Sequence, residues 1–575
     1  MKQRYVPFIF LCIFFACNNG KTKEKQPGTT AQAIGCYSPP VTDKAWYTAG
    51  KKAPLFAGLK GIDFTITTNS QEAQTYFNQG MMLAYGFNHA EAARSFYEIT
   101  RLDSTCAMGY WGFAYVLGPN YNAGMEKDNF ERAYAAVVKA QALAATCTAK
   151  EKALIAALAA RYAANPTADR SALDIAYAAA MKQVYIAYPD DPDVGALYAE
   201  ALMDLHPWDL YDKQTKQPRP WTPELLATLT HLMTVNPQHP GAHHFYIHAL
   251  EASATPEKAL ASARLLDTLV TGAGHLLHMP SHIYINTGDY HAGSVANIRA
   301  LAADSTYTTA CHAQGAYPLA YYPHNYHFLA ATATLEGNWQ LAWHAAKQLQ
   351  QQTPVTVMHM PGWGTLQHYY TIPYYISARF GMWDTVLAVP APPQDLVYVQ
   401  AMWHYARGMA FFGKNDATRA QKELGSLETL AADTSLQHLT VWNINTTADL
   451  VQIAVKVLRA EAAARQKQLP AAIALLKEAV ALEDKLNYNE PPDWFFSVRH
   501  YLGAVLVKAG KYAEAATVYR QDLQVWRKNG WALIGLYHAL TGQGKHQEAQ
   551  QVKLAFDQAW QYADVHITSS AGIID

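Results

Sequence analysis

From Gln71 onward, small, apolar and polar positions recur with the period of amphipathic helices, interrupted at intervals by glycine-containing turns. The segment from Ala73 sets the pattern. Tyr76, Gly80 and Leu83 share one helix, and Ala92 and Phe96 lie on the next, which ends at Leu102-Asp103-Ser104. Tyr110-Trp111-Gly112-Phe113-Ala114 opens a second unit in the same way. Further turns follow at Gly288-Asp289-Tyr290, Gly337-Asn338-Trp339, Gly413 to Ala417 and Gly510-Lys511-Tyr512. Gly503 supplies the small contact residue before the last of these turns, and Ala472 and Ala549 mark further return helices. Asp63-Phe64-Thr65-Ile66-Thr67-Thr68 is the only segment that reads as a strand. Longer insertions rich in Gly, Pro or polar residues fall near Gly118–Asn129, His206–Trp221, Ser305–Tyr322 and Val389–Gln394. A period of about 34 residues predicts an all-α repeat fold.

This alternation of small and large residues resembles the tetratricopeptide repeat (TPR), over most of residues 70 to 560. The resemblance implies an α-solenoid, a right-handed superhelical stack of helix pairs with a concave groove. The strings Phe77-Asn78-Gln79-Gly80, Tyr85 to Phe96 and Tyr110 to Asn120 are similar to those of a group of large bacterial TPR proteins. The expected organisation is a signal peptide over 1–17, a polar tether and cap over 18–70, repeats with a histidine-rich groove over 71–345, and C-terminal repeats over 346–575.

Histidine is concentrated in one window. Eleven of the 23 histidines fall between His239 and His327. His244 and His248 are an i, i+4 pair with Glu251 three residues further on; His278 and His282 form a second such pair; His324 and His327 follow. The TPR resemblance implies that the first helix of each pair lines the groove, and its register places these seven residues, with His368 and Tyr375 beyond them, on that face. Imidazole and carboxylate at helical spacing are suited to a divalent metal such as Zn, Cu, Fe or Mn. The loop carrying Asp204, His206 and Asp209 is expected to fold over the same groove. No HExxH, GxSxG, GxxxxGK[ST] or GxGxxG string offers a ready-made catalytic motif.

The N-terminus adds an address. Lys2 and Arg4, the apolar run Val6 to Ala16, and Cys17 resemble a lipoprotein signal, with Phe14 departing from the usual pattern. Lipidated Cys17 would then tether the chain to a membrane of the bacterial envelope. Export permits disulfides, and Cys36, Cys106, Cys147 and Cys311 allow three pairings. A net charge of −1 gives no reason to expect a nucleic-acid partner. The first expectation is therefore a membrane-tethered scaffold holding a protein or peptide in its groove. The alternative is a metal-binding protein or metal-dependent, hydrolase-like enzyme built on the His244–His327 cluster, with Glu251 as ligand or base and His206 as an added proton carrier. A weaker alternative is a nutrient-binding lipoprotein.

Overall fold

The computed structural model describes residues 44–165, 169–311 and 321–571, without the side chains of 308–311. Cys17, Cys36, His312 and the side chain of Cys311 therefore lie outside what is described, and Cys106 and Cys147 are buried free thiols.

Among the described residues the architecture is all-α, apart from one hairpin pairing Thr440–Val441 with Asn445–Thr446. Local signals explain the helix pairs. Gln71–Tyr85 is capped by Ser70, whose hydroxyl accepts from the Ala73 amide, and His89–Leu102 by Asn88, whose side chain accepts from the Glu91 amide. The two helices close at Gly80, where a Cβ would stand 2.7 Å from the Phe96 ring. The turns at Gly288, Gly337 and Gly510 adopt left-handed backbone, with φ of 79°, 82° and 70°. At the fourth expected turn, Gly413 ends its helix and Asn415 takes the left-handed position at φ 58°.

Asp63–Thr68 is not a strand. Helix side chains replace a partner strand: the Ile66 amide donates to Gln74 Oε1 at 3.0 Å, and the Thr67 amide to Glu151 Oε1 at 2.6 Å.

Contacts distant in sequence bring the chain back on itself. Tyr85 meets His244, Trp531 Nε1 donates to the Thr334 carbonyl at 3.1 Å, and Tyr290 OH donates to the Arg527 carbonyl at 2.8 Å. Asn286 also bonds Glu490. Most of the histidines expected on an open groove are consequently enclosed: His244, His248, His278, His282 and His327 are buried, as is Glu251, and His324 is half-buried. Tyr375, expected on the same open face, is also buried, against Trp494 and Phe495.

Candidate metal centre

Four helical segments deliver the site: Pro240–Glu251, Gly274–His278, Pro280–Thr287 and Tyr322–Leu335. Pro240 stands in the first turn of its helix, where a missing amide hydrogen costs nothing. Pro280 does the same at a near-continuous junction, since Met279 keeps helical backbone at φ −53° and ψ −35°. His275, His278 and His282 thus follow one another on a single face at i, i+3 and i+7.

The side chains converge in three groups of potential metal ligands: His244 with His248 and His275; His278 with His282 and His324; and Glu251 with His282 and Glu490. In each group the ligand atoms lie within 4.8 Å of one another.

The surrounding hydrogen bonds decide which ring nitrogen is free. The His244 Nδ1 lies 2.5 Å from the Tyr85 carbonyl, and the His248 Nδ1 2.9 Å from Glu251 Oε1. A carbonyl and an ionised carboxylate only accept, so both Nδ1 atoms carry the proton, and in the neutral rings both Nε2 atoms present lone pairs. Those two Nε2 atoms are buried without a partner, as are both ring nitrogens of His275. Asn297 Nδ2 donates to the Gly293 carbonyl, which turns its Oδ1 toward His278 Nδ1 at 2.7 Å. His278 therefore also offers Nε2. His282 Nδ1 lies 2.8 Å from Glu251 Oε2 and 2.5 Å from Glu490 Oε2. These are close charge contacts rather than aligned hydrogen bonds, but two carboxylates keep a proton on that nitrogen. As a result, the Nε2 atoms of His278 and His282 face each other at 2.9 Å. With both Nδ1 atoms protonated, two lone pairs would meet there unless a proton or a cation lies between them.

Electrostatics match this arrangement. Burial, reinforced by neighbouring imidazoles, holds His244, His275, His278 and His324 well below the ordinary histidine value, so they are neutral at pH 7. Burial also disfavours charge on His282, but Glu251 and Glu490 outweigh it and raise the group to about 10. Burial would raise Glu251, yet His248 and His282 bring it down to about 2. Burial pushes Glu490 up to about 7, against the pull of His282. In this state the proton on His282 occupies the place a cation would take.

Several sequence expectations need correcting. His206 does not reach the centre; its ring stacks on Trp221 at 3.7 Å. Asp204 pairs with Arg161 at 2.6 Å, and Asp209 with Arg219 at 3.0 Å. Their loop does cover the site, through Trp208, whose ring lies 6.1 Å from His248. His327 is adjacent but belongs elsewhere, stacked on Phe495 at 5.2 Å and beside His368 at 5.5 Å. Glu251 is positioned to orient two histidines, and both its oxygens are engaged in doing so.

Sequence reasoning missed His275, Glu490 and Asn297. The first had a visible signal, the i, i+3, i+7 run with His278 and His282. Glu490 had none, being more than 160 residues away from the last of the triad histidines.

No family model matches the chain, and no curated protein does. Among solved structures, the human IFIT1 dimer with m7Gppp-AAAA matches at 12% identity and TM-score 0.29, over 87% of this chain and 92% of that one. An IFIT1 monomeric mutant with Gppp-AAAA matches at 12% identity and TM-score 0.29, over 86% and 91%. Naa15/Naa10 bound to HypK-THB matches at 11% identity and TM-score 0.22, over 85% and 71%. At such low superposition these likenesses bear on neither the site nor its chemistry.

Proposed function

We propose that this protein binds a transition-metal ion in the buried histidine–carboxylate centre enclosed by its helical repeats. The observation that carries the reading is the set of unpartnered, buried Nε2 atoms on His244 and His248, held as lone pairs by acceptors at Nδ1, with His275 beside them. Leaving such atoms empty is costly, at about 1–3 kcal/mol for each buried polar group without a partner. A metal satisfies all of them at once. Donors that are mainly imidazole suit Zn or Cu, and Fe with a carboxylate nearby, better than the oxygen-preferring Mn.

Glu251 acts in this reading as the carboxylate that fixes the His248 and His282 rings, rather than as a general base. A cleft of about 230 Å³ lined by Lys213, Lys216, Asn286, Tyr488 and Glu490 reaches the Glu490 side of the centre. The N-terminal pattern around Cys17 supports an exported, lipid-anchored protein of the bacterial envelope. Partner binding on a superhelical TPR groove is a separate reading that rests on the repeat resemblance, and the enclosed histidines would not form its contact surface.

The test is metal content, measured by mass spectrometry on protein beginning after Cys17. Near-stoichiometric metal that is absent from a His248→Ala/His282→Ala variant of unchanged helical spectrum is the expected result. Absence of metal after incubation with zinc, copper and iron would eliminate this function.

A further inference from the structure

The centre is divided into two equal halves, and the division is chemical as well as spatial. His244, His248 and His275 form one three-imidazole group, and His278, His282 and His324 form another. The helical run from Gly274 is the partition: His275 turns to the first group and His278, one turn on, to the second. Each group has its own aromatic wall. The Phe87 ring lies 4.7 Å from His244, 5.6 Å from His248 and 5.8 Å from His275. The Phe328 ring lies 4.8 Å from His278, 4.5 Å from His282 and 5.2 Å from His324. Phe87 adopts left-handed backbone at φ 53°, a conformation that a bulky residue takes up only when its surroundings impose it.

The groups are neighbours. His248 and His282 have ring centroids 6.0 Å apart, and His275 and His278 5.9 Å apart. Glu251 spans the boundary, with Oε1 on His248 of the first group and Oε2 on His282 of the second. A single ion needs about four ligands, and a three-histidine set leaves its fourth position open to solvent species or substrate. Six imidazoles in two sets of three exceed the needs of one ion. Two-metal sites set their ions ~3.5–4 Å apart, so that one small molecule can touch both.

From this partition we propose that the centre is dinuclear, taking one ion of Zn or Cu in each three-histidine group, with Glu251 orienting one histidine of each. The inference rests on the metal-binding reading above and extends it. The ligand that such a pair would hold between its open positions is a small oxygen-containing molecule such as water, hydroxide or dioxygen, beside the apolar rings of Phe87 and Phe328.

The test uses the full chain after chelation, refilled with Zn(II) by equilibrium dialysis and, separately, with Cu(II). The wild-type protein should retain two Zn(II) per chain. His275→Ala, confined to the first group, and His324→Ala, confined to the second, should each retain one. In the Cu(II) protein, coupling between close ions should lower the integrated electron-spin-resonance intensity well below two spins, while each variant gives one full uncoupled spin. The wild-type stoichiometry and spin count need no variant, so a misfolded substitution does not blunt the test. One Zn(II) in the wild type, lost in either variant, would overturn the dinuclear inference and leave metal binding intact. Two ions with two full spins would overturn the shared centre. Retention of no ion at all would overturn both readings.

Discussion

A neutral imidazole has one nitrogen to give to a metal, and its neighbours decide which. Glu251 makes that choice for His248 and contributes to it for His282, as the Tyr85 carbonyl does for His244. Replacing it by an amide keeps the shape but removes the charge that holds both rings. Glu251→Gln should weaken Zn(II) retention by about 10- to 100-fold, the usual cost of losing a carboxylate behind a ligating histidine. Competition with a chromophoric chelator measures this, and unchanged affinity would remove Glu251 from the site. A second prediction concerns histidines outside the two groups. Burial lowers His368 to about 3 and, with Arg161 adding to the effect, His89 to about 3; burial also holds His327 well below its ordinary value. Their folded values lie below the unfolded one, so the stability gained by keeping them neutral is fully present above about pH 6.5. It is lost as pH falls from there toward about 3, by up to ~1.4 kcal/mol per pH unit for each group. In chelated protein, urea stability should drop steeply below pH 6.5. His368→Gln, which retains a hydrogen-bonding group toward Tyr398 OH, should lose about one proton's share of that slope. Equal slopes would show that His368 is not held neutral.

The element that matters most is the run from Gly274 to Thr287, because it carries a ligand for each group. Its first residue has no room for a side chain: a Cβ on Gly274 would lie 1.8 Å from Asp304 Oδ1, in a carboxylate that also accepts from Asn325 Nδ2 at 2.6 Å. Gly274→Ala must therefore displace the Asp304 carboxylate or the start of the helix that bears His275 and His278. Metal retention should fall in both groups while the Gly510 repeat stays folded, as dialysis and hydrogen exchange would show; full retention would mean that the carboxylate gives way instead of the helix. The helices themselves were legible in the sequence, since periodicity, the alternation of small and large residues and glycine turns are local signals. So were five of the six triad histidines, by i, i+4 pairing or proximity in the chain. What could not be read was the enclosure. A repeat register places His244 and His248 on a face, but whether that face meets solvent depends on where the chain returns. The same limit misplaced His206, whose loop was expected to fold over the groove, while Trp221 offers its ring a closer surface.

At the scale of the molecule, the centre joins parts that sequence separates widely. Phe87 lies against one end, Glu490 against the other, and Tyr488 OH donates to the Glu251 carbonyl at 3.2 Å. Asn286 and Lys213 add further links to the segment around residue 488, through Glu490 and Asn487. Metal binding should therefore stabilise the closure as well as the local helices. Ligand bound only by the folded state adds about 2.7 kcal/mol at a hundredfold excess over its dissociation constant. Chelation should accordingly lower the unfolding temperature, and it should do so unevenly. Amide exchange should quicken in Pro240–Glu251, Gly274–His278, Pro280–Thr287, Tyr322–Leu335 and the segment 486–494, which touch the centre or hold Glu490. His546–Ala559, which contributes no residue to the centre or to the cleft beside Glu490, should exchange at an unchanged rate. The pattern separates two roles for the same ions. Uniform acceleration along the chain would mean that metal merely raises global stability, whereas acceleration confined to the four ligand helices, with 486–494 unaffected, would mean that Glu490 closes over the site without depending on what the site contains.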